Sequence, residues 1–472
     1  MSSAVVVAGG APCFPPWADL EPGIISSIAA CCSLADYASC RGVCSSWRSA
    51  LPPPLSRPLA VLPADDASGH PVSLAACSLH ARRWARLLLH AGDLLLHRPA
   101  SIIGDAPGCR CVGASRDGWV ALVAGDAAAP VGPVLFNPFT GEEIPLDPSL
   151  YQPAHHPAPK IVFSRNPIGH GFTAVSLVRP DMVAVQRAAA DGYSYSEDTG
   201  PLLDGVFLVD LAYGGDGDKV YCLSRDGQVH VLHLPRRSRV NHRMPPMEVG
   251  TLPPRSPPVG AAAFPPPYDA ISLVTEAKSL ALCDGVLYQI WRRATGAGPV
   301  TVDAPVAGAT AARWIHIFEG DVFVLKYDPE KDPGGTCWTV AEGKDLGGNA
   351  VFVGMNDAAV VRGEGVRANS VYYWDGPRGG GGGDYEAVVY GVETGASVRW
   401  PVAFTGGVSS PAWYFLPPAD VRPRVEGKAT DVEATSSAEE ATSLGQDEEQ
   451  QQSAHCLKKT KSLLGRFDYC IV

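Results

Sequence analysis

Between residues 55 and 423, short runs of β-branched and aromatic residues recur, each bounded by tight-turn residues. Among them are 119–123, 205–209, 229–233, 286–291, 314–318, 322–325 and 371–374. Asp117-Gly118, Asp226-Gly227 and Asp284-Gly285 each stand just before such a run, where a hairpin needs them. Two segments share a fuller plan of strand, Thr-Gly turn, strand and proline: 135–146 and 388–401. They read as the same hairpin in two different repeats. Repeats of about 40–50 residues built from four strands are how a propeller shows itself in sequence. The stretch accommodates six to eight kelch-like blades and is too long for one sandwich. The absence of long helical segments argues against a parallel α/β fold. Composition agrees: 50 glycines and 43 prolines leave little room for long helices. The fold class expected is mainly β, a β-propeller preceded by a small all-α module and followed by a disordered tail.

The domain plan has five parts. Residues 1–14 form a loose amino terminus, 15–54 a helical module, 55–423 the propeller, 424–456 an acidic disordered tail, and 457–472 a basic amphipathic segment. In the helical module, Ile24, Ile28 and Cys31 lie at i, i+4 and i+7. Tyr37, Cys40, Cys44 and Trp47 continue at helical spacing. Pro22 suits a first helical turn, and Ser33 can cap the next helix. Some 35 residues of helix cannot build a self-sufficient core, so the apolar face must meet the propeller or a partner.

The same run resembles an F-box. The elements that carry the resemblance are Leu20, Pro22, Ile24, Ile25, Ile28 and Leu34, followed by Val43-Cys44-Ser45-Ser46-Trp47-Arg48. Glu21 stands where that pattern usually has proline, Gly23 where an acidic residue is common, and Cys31 and Cys32 replace larger aliphatics. The remainder is similar to a plant family, abundant in grasses, that joins an F-box to a KIB-type propeller, a domain formerly of unknown function. The quoted segments are 345–354, 369–375 and 412–417. The resemblance covers roughly residues 17–418.

It implies a non-catalytic substrate-recognition subunit of an SCF-type ubiquitin ligase. Leu20, Pro22, Ile24, Ile25, Ile28, Leu34, Val43, Cys44 and Trp47 would contact a Skp-type adaptor, and through it a cullin scaffold. The propeller would bind an unidentified target protein. Outside that complex the chain is expected to be a monomer. If the module awaits a partner, Ile24, Ile25 and Val43 should be exposed; if it is only a cap, the propeller should cover them. The alternatives are a propeller scaffold with intramolecularly packed helices, and a propeller enzyme with carboxylates in its channel.

Other chemistries lack their signatures. The five-glycine run 379–383 has no Lys-Ser/Thr after it, so it reads as a flexible loop rather than a phosphate cradle. His230 and His233, three apart on a strand, face opposite sides and make a poor metal pair. His155-His156 sit in a proline-rich loop, and Cys109-x-Cys111 lacks a second pair. No metal and no cofactor are expected. The Gly-rich turn around Asn349 reads as backbone geometry rather than ligand chemistry. The basic run Arg236-Arg237-Ser238-Arg239 reads as a solvated loop.

The net charge of −11 argues against nucleic acid as a partner. Most of that charge belongs to residues 426–449, which hold eight acidic residues against Lys428 alone. No apolar run reaches the ~18 residues of a membrane span, and no Lys or Arg precedes Val5-Val6-Val7 as a signal peptide would need. Tyr469, not a cysteine, is fourth from the end, which excludes a prenylation box. Scattered cysteines, 13 in all, suit a reduced intracellular protein, nuclear or cytoplasmic.

Overall fold

A computed structural model describes residues 17–31, 34–51 and, apart from a number of connecting segments, 59–415. The expected loose amino terminus, both tail segments, the Arg236–Arg239 run, His155-His156 and most of the glycine run lie outside the described residues. The chain divides into two compact units, residues 54–418 and residues 1–53 with 419–472.

The larger unit is a propeller. Its first sheet combines Leu59–Ala64, Ser73–Ser78 and Arg83–Leu88 with the last strand of the unit, Ala412–Tyr414. The second holds Cys109–Ala114, Val120–Ala124, Val131–Asn137 and Glu142–Pro145 in simple up-and-down order. The third runs from Ile161–Phe163 to Ser194–Asp198, and the fourth from Leu208–Tyr213 to Glu248–Leu252. The fifth joins Ala277–Cys283, Val286–Arg292, Val322–Tyr327 and Trp338–Val340. The leading strands of these sheets pack on one another in chain order.

The sixth sheet departs from the pattern. Its order is Ala359–Val361, Ala350–Phe352, Ser370–Asp375, Gly383–Gly391 and Ala396–Gly407, and Ala350–Phe352 pairs in parallel with Ser370–Tyr372. The regular four-stranded blade therefore occurs five times among the described residues, below the six to eight expected. Length overcounts because residues go into this irregular sheet, into a helix at Tyr268–Val274 and into a separate two-stranded ribbon.

The turns behave as their residues dictate. Asp284 and Gly285 both have positive φ (49° and 81°), the geometry of the two-residue hairpin that matches strand twist. The hairpins anticipated at 135–146 and 388–401 are both present, the second closed by Gly395 donating to the Gly391 carbonyl at 2.9 Å. Gly113 sits where a Cβ would run into the carbonyl oxygen of Ile161, so sheets two and three approach there as only glycine permits. The Gly-rich turn before Ala350 is structural, as expected. Asn349 Nδ2 donates to the Leu346 carbonyl (2.8 Å) and to Asp284 Oδ2 (2.9 Å), tying the fifth sheet to the sixth.

The first sheet is closed from the far end of the unit. Leu59, Ala60 and Val61 pair with Tyr414, Trp413 and Ala412. Trp413 is fully buried, stacks on Trp374 at 4.4 Å between ring centroids, and donates from Nε1 to the Val353 carbonyl at 3.0 Å. Tyr414 donates from its hydroxyl to the Gly118 carbonyl at 2.8 Å. The closing strand thus bonds the sheet on either side of it. Replacing Trp413 by Ala should cost about 3–5 kcal/mol and Tyr414 by Phe about 1 kcal/mol. Urea unfolding measures both, and a Trp413→Ala loss below ~1 kcal/mol would show that closure does not depend on this side chain.

Candidate functional site

Among the described residues, the smaller unit holds three short α-helices: α1 (Pro22–Cys31), α2 (Leu34–Val43) and α3 (Ser45–Ala50). Pro22 opens α1, where its missing N–H costs nothing. Cys44 caps α3, its sulfur accepting from the Trp47 N–H at 3.5 Å. Ile25, Ala29, Trp47 and Leu51 are buried together, with Leu20, Ile28, Val43 and Cys44 partly buried around them. Trp47 Nε1 donates to the Trp17 carbonyl at 2.7 Å, and the two indoles lie 6.5 Å apart.

The nine candidate adaptor contacts therefore divide. Ile25 and Trp47 form the module's own core: of the three side chains expected to be exposed if the module awaits a partner, only Ile24 is exposed, Val43 is partly buried, and Ile25 is 1% exposed under Ala29, Trp47 and Leu51. One step along a helix rotates the side chain by about 100°, so its neighbour Ile24 faces outward, 48% exposed, beside the exposed Pro22. The side chain of Leu34 lies outside the described residues. Trp17, 46% exposed, joins the outward set and escaped sequence reasoning because it precedes the helical periodicity.

In the propeller, the leading strands surround a channel with two mouths. The amino-terminal ends of these strands line a cavity of about 190 Å³ with Lys160, Asp210 and Ser279, and the carboxy-terminal ends line one of about 240 Å³ with Phe163, Tyr213 and Leu282. Segment 353–358 runs between them, Val353 to Met355 at the first mouth and Asp357 and Ala358 at the second.

Two carboxylates bind the channel wall. Asp210 is buried, pairs with Lys160 at 2.6 Å, and accepts the Leu280 N–H at 2.7 Å. Burial pushes its carboxyl up, against the pull of Lys160. Asp357 accepts the Tyr213 N–H at 3.1 Å, while its own N–H donates to the Ala114 carbonyl at 3.1 Å. It therefore links the sixth sheet to the fourth and the second. Burial raises its pKa to about 6, with Lys160 pulling the other way.

A family model described as the KIB1-4 β-propeller matches residues 90–391. The chain belongs to the KIB1-4 β-propeller family. No curated protein sequence matches it. Among solved structures, TolB from Acinetobacter baumannii is 12% identical over 79% of this chain and 71% of its own, with a TM-score of 0.35. The Cps50 (Swd1) β-propeller domain from Myceliophteria thermophila is 11% identical over 73% of this chain and 97% of its own, with a TM-score of 0.27.

In this KIB1-4 propeller, the channel carboxylates act as clamps between sheets, since each accepts a backbone N–H from a neighbouring strand. Arg116 and Arg165 line the second mouth and are exposed. His230 is buried and His233 exposed, as their spacing requires, and burial lowers the His230 pKa. Among the described residues, no group of three or more His, Cys, Asp or Glu could hold a metal ion, and no helix is long and apolar enough to cross a membrane.

A folded-state pKa of about 6 against an ordinary 3.8 means the native protein holds the Asp357 proton where the unfolded chain releases it. Its contribution to stability is therefore most favourable below pH ~4 and falls as pH rises to ~6, by at most about 3 kcal/mol. The wild-type-minus-Asp357→Asn difference in unfolding free energy should therefore fall as pH rises from 4 to 7, because only the wild type carries the titrating carboxyl. A difference independent of pH would show that the carboxyl titrates normally.

Proposed function

We propose that this chain is the substrate-recognition subunit of an SCF-type E3 ubiquitin ligase. The observation that carries the reading is a helical module with its own buried Trp47 core and an apolar outward set, Trp17 and Ile24, on a chain whose main body is a KIB1-4 propeller. A module that has satisfied its own core and still exposes large apolar side chains is suited to a partner. That partner is a Skp-type adaptor, and through it a cullin. The propeller, a fold suited to protein–protein contact, presents the target to the ligase and performs no chemistry itself. The complex works inside the cell, in nucleus or cytoplasm.

Co-purification with a Skp-type adaptor tests this, with variants chosen by where each side chain sits. Ile24→Asp should abolish capture while leaving thermal unfolding unchanged. Leu20→Ala should weaken capture. Trp47→Ala should lose capture together with the module's helical signal, because it empties the core. Failure of the wild type to capture the adaptor would overturn the ligase reading in favour of a propeller scaffold. Full capture by Ile24→Asp would move the interface elsewhere.

A further inference from the structure

Between Arg292 and Val322 the chain leaves the fifth blade to form its own ribbon, Val300–Ala304 paired antiparallel with Arg313–Ile317. Alternation divides its side chains cleanly. Val302 and Ile317 are buried in a cluster that includes Ile271 and Trp338. On the other face Thr301, Asp303, Trp314 and His316 are exposed, and Phe318 extends the row. Trp314 is 61% and Phe318 58% exposed, which is expensive for two large aromatic groups on one face.

The register then supplies chemistry. Asp303 lies directly opposite Trp314, and Thr301 opposite His316, where Thr301 Oγ1 and His316 Nδ1 share a hydrogen bond of 2.9 Å. The His316 and Phe318 rings are 6.5 Å apart. Asp303 makes no ion pair or hydrogen bond among the described residues, whereas the nearby Glu319 and Asp321 are committed to the Gly298 and Phe318 N–H groups. A tryptophan face beside an uncommitted carboxylate fits a Lys or Arg side chain, which can stack on the one and pair with the other. Among the described residues no third strand pairs with the ribbon, and a further strand added to it would place alternate side chains on this face.

We infer that the outward face of this ribbon docks an extended segment of a partner protein carrying Lys or Arg and apolar residues at alternate positions. The basic side chain sits between Trp314 and Asp303, and an apolar one lies along His316 and Phe318. This rests on reading the propeller as a receptor for another protein, not on adaptor docking. A membrane surface is the poorer fit, because anionic lipids call for basic residues beside the aromatics and the carboxylates here repel them.

The test uses the full chain without adaptor and two labelled peptides, Arg-Thr-Val-Thr-Arg-Thr-Val and its counterpart with Glu for Arg, titrated by fluorescence anisotropy at low salt. The Arg peptide should bind at least about tenfold tighter. Asp303→Lys should reverse the preference, and Trp314→Ser should weaken the Arg peptide by about tenfold, both with unchanged melting because the side chains are exposed. Equal binding of the two peptides, no binding of either, or an unchanged preference in Asp303→Lys overturns the inference. So does binding of the wild type to phosphatidylserine-containing vesicles in place of the Arg peptide. A failed adaptor capture leaves this result standing, and a failed peptide titration leaves the adaptor reading standing.

Discussion

The propeller depends on a junction between its two ends. Leu59–Val61 and Ala412–Tyr414 meet across the whole length of the unit, and until they pair the first sheet lacks its fourth strand. Closing a loop of about 350 residues costs on the order of 5 kcal/mol in chain entropy. The backbone bonds of three residue pairs, at ~1 kcal/mol each, do not offset it. The side chains of the closing strand do: Trp413, Tyr414 and Phe415 are each almost fully buried, at about 1.5–3 kcal/mol apiece. Their hydrogen bonds to Val353 and Gly118 then fix which sheets stand on either side. The small strand at the carboxy-terminal end is thus what makes an open series of sheets into a ring.

Segment 353–358, which joins two strands of the sixth sheet, reaches both mouths of the channel, and Ala359–Val361 then returns antiparallel to Ala350–Phe352, which itself pairs in parallel with Ser370–Tyr372. Backbone brought into the middle of a protein needs partners for its N–H and C=O groups. Asp357 supplies an acceptor for Tyr213 and Asp210 one for Leu280, each joining leading strands of different sheets. The Lys160–Asp210 pair carries the desolvation cost of two buried charges, so its return is positional specificity more than raw stability.

Local signals in the sequence marked local geometry well. Asp284-Gly285, the hairpin turning at Thr394-Gly395 and the turn bond from Asn349 to the Leu346 carbonyl are legible because each depends on residues close in the chain. Three features are not. Blade count failed because Ala350–Phe352 and Ala359–Val361 look in sequence like any short strands, and their parallel and antiparallel pairing is set by distant partners. The burial of Ile25 beside an exposed Ile24 is not readable from periodicity, which gives an apolar face but not what covers it; Trp47 returns onto α1 from the end of the module. Trp314 to Phe318 reads as an ordinary alternating strand. Only tertiary placement shows that it belongs to a ribbon outside the blade, with its aromatic face unpartnered by the fold.

These placements constrain where recognition can happen. In an open propeller the channel is a natural ligand site; here segment 353–358 lines both of its mouths and its carboxylates are committed to neighbouring strands. Exposed apolar groups lie on elements the ring does not need: the outward residues of α1 and the ribbon face bearing Asp303 and Trp314. Neither contributes a strand to the closed sheets, so their exposed side chains can carry recognition without loosening the ring. In the propeller, the ribbon carries its uncommitted apolar and acidic groups on an exposed face, which suits a protein partner better than a small molecule enclosed at an axis.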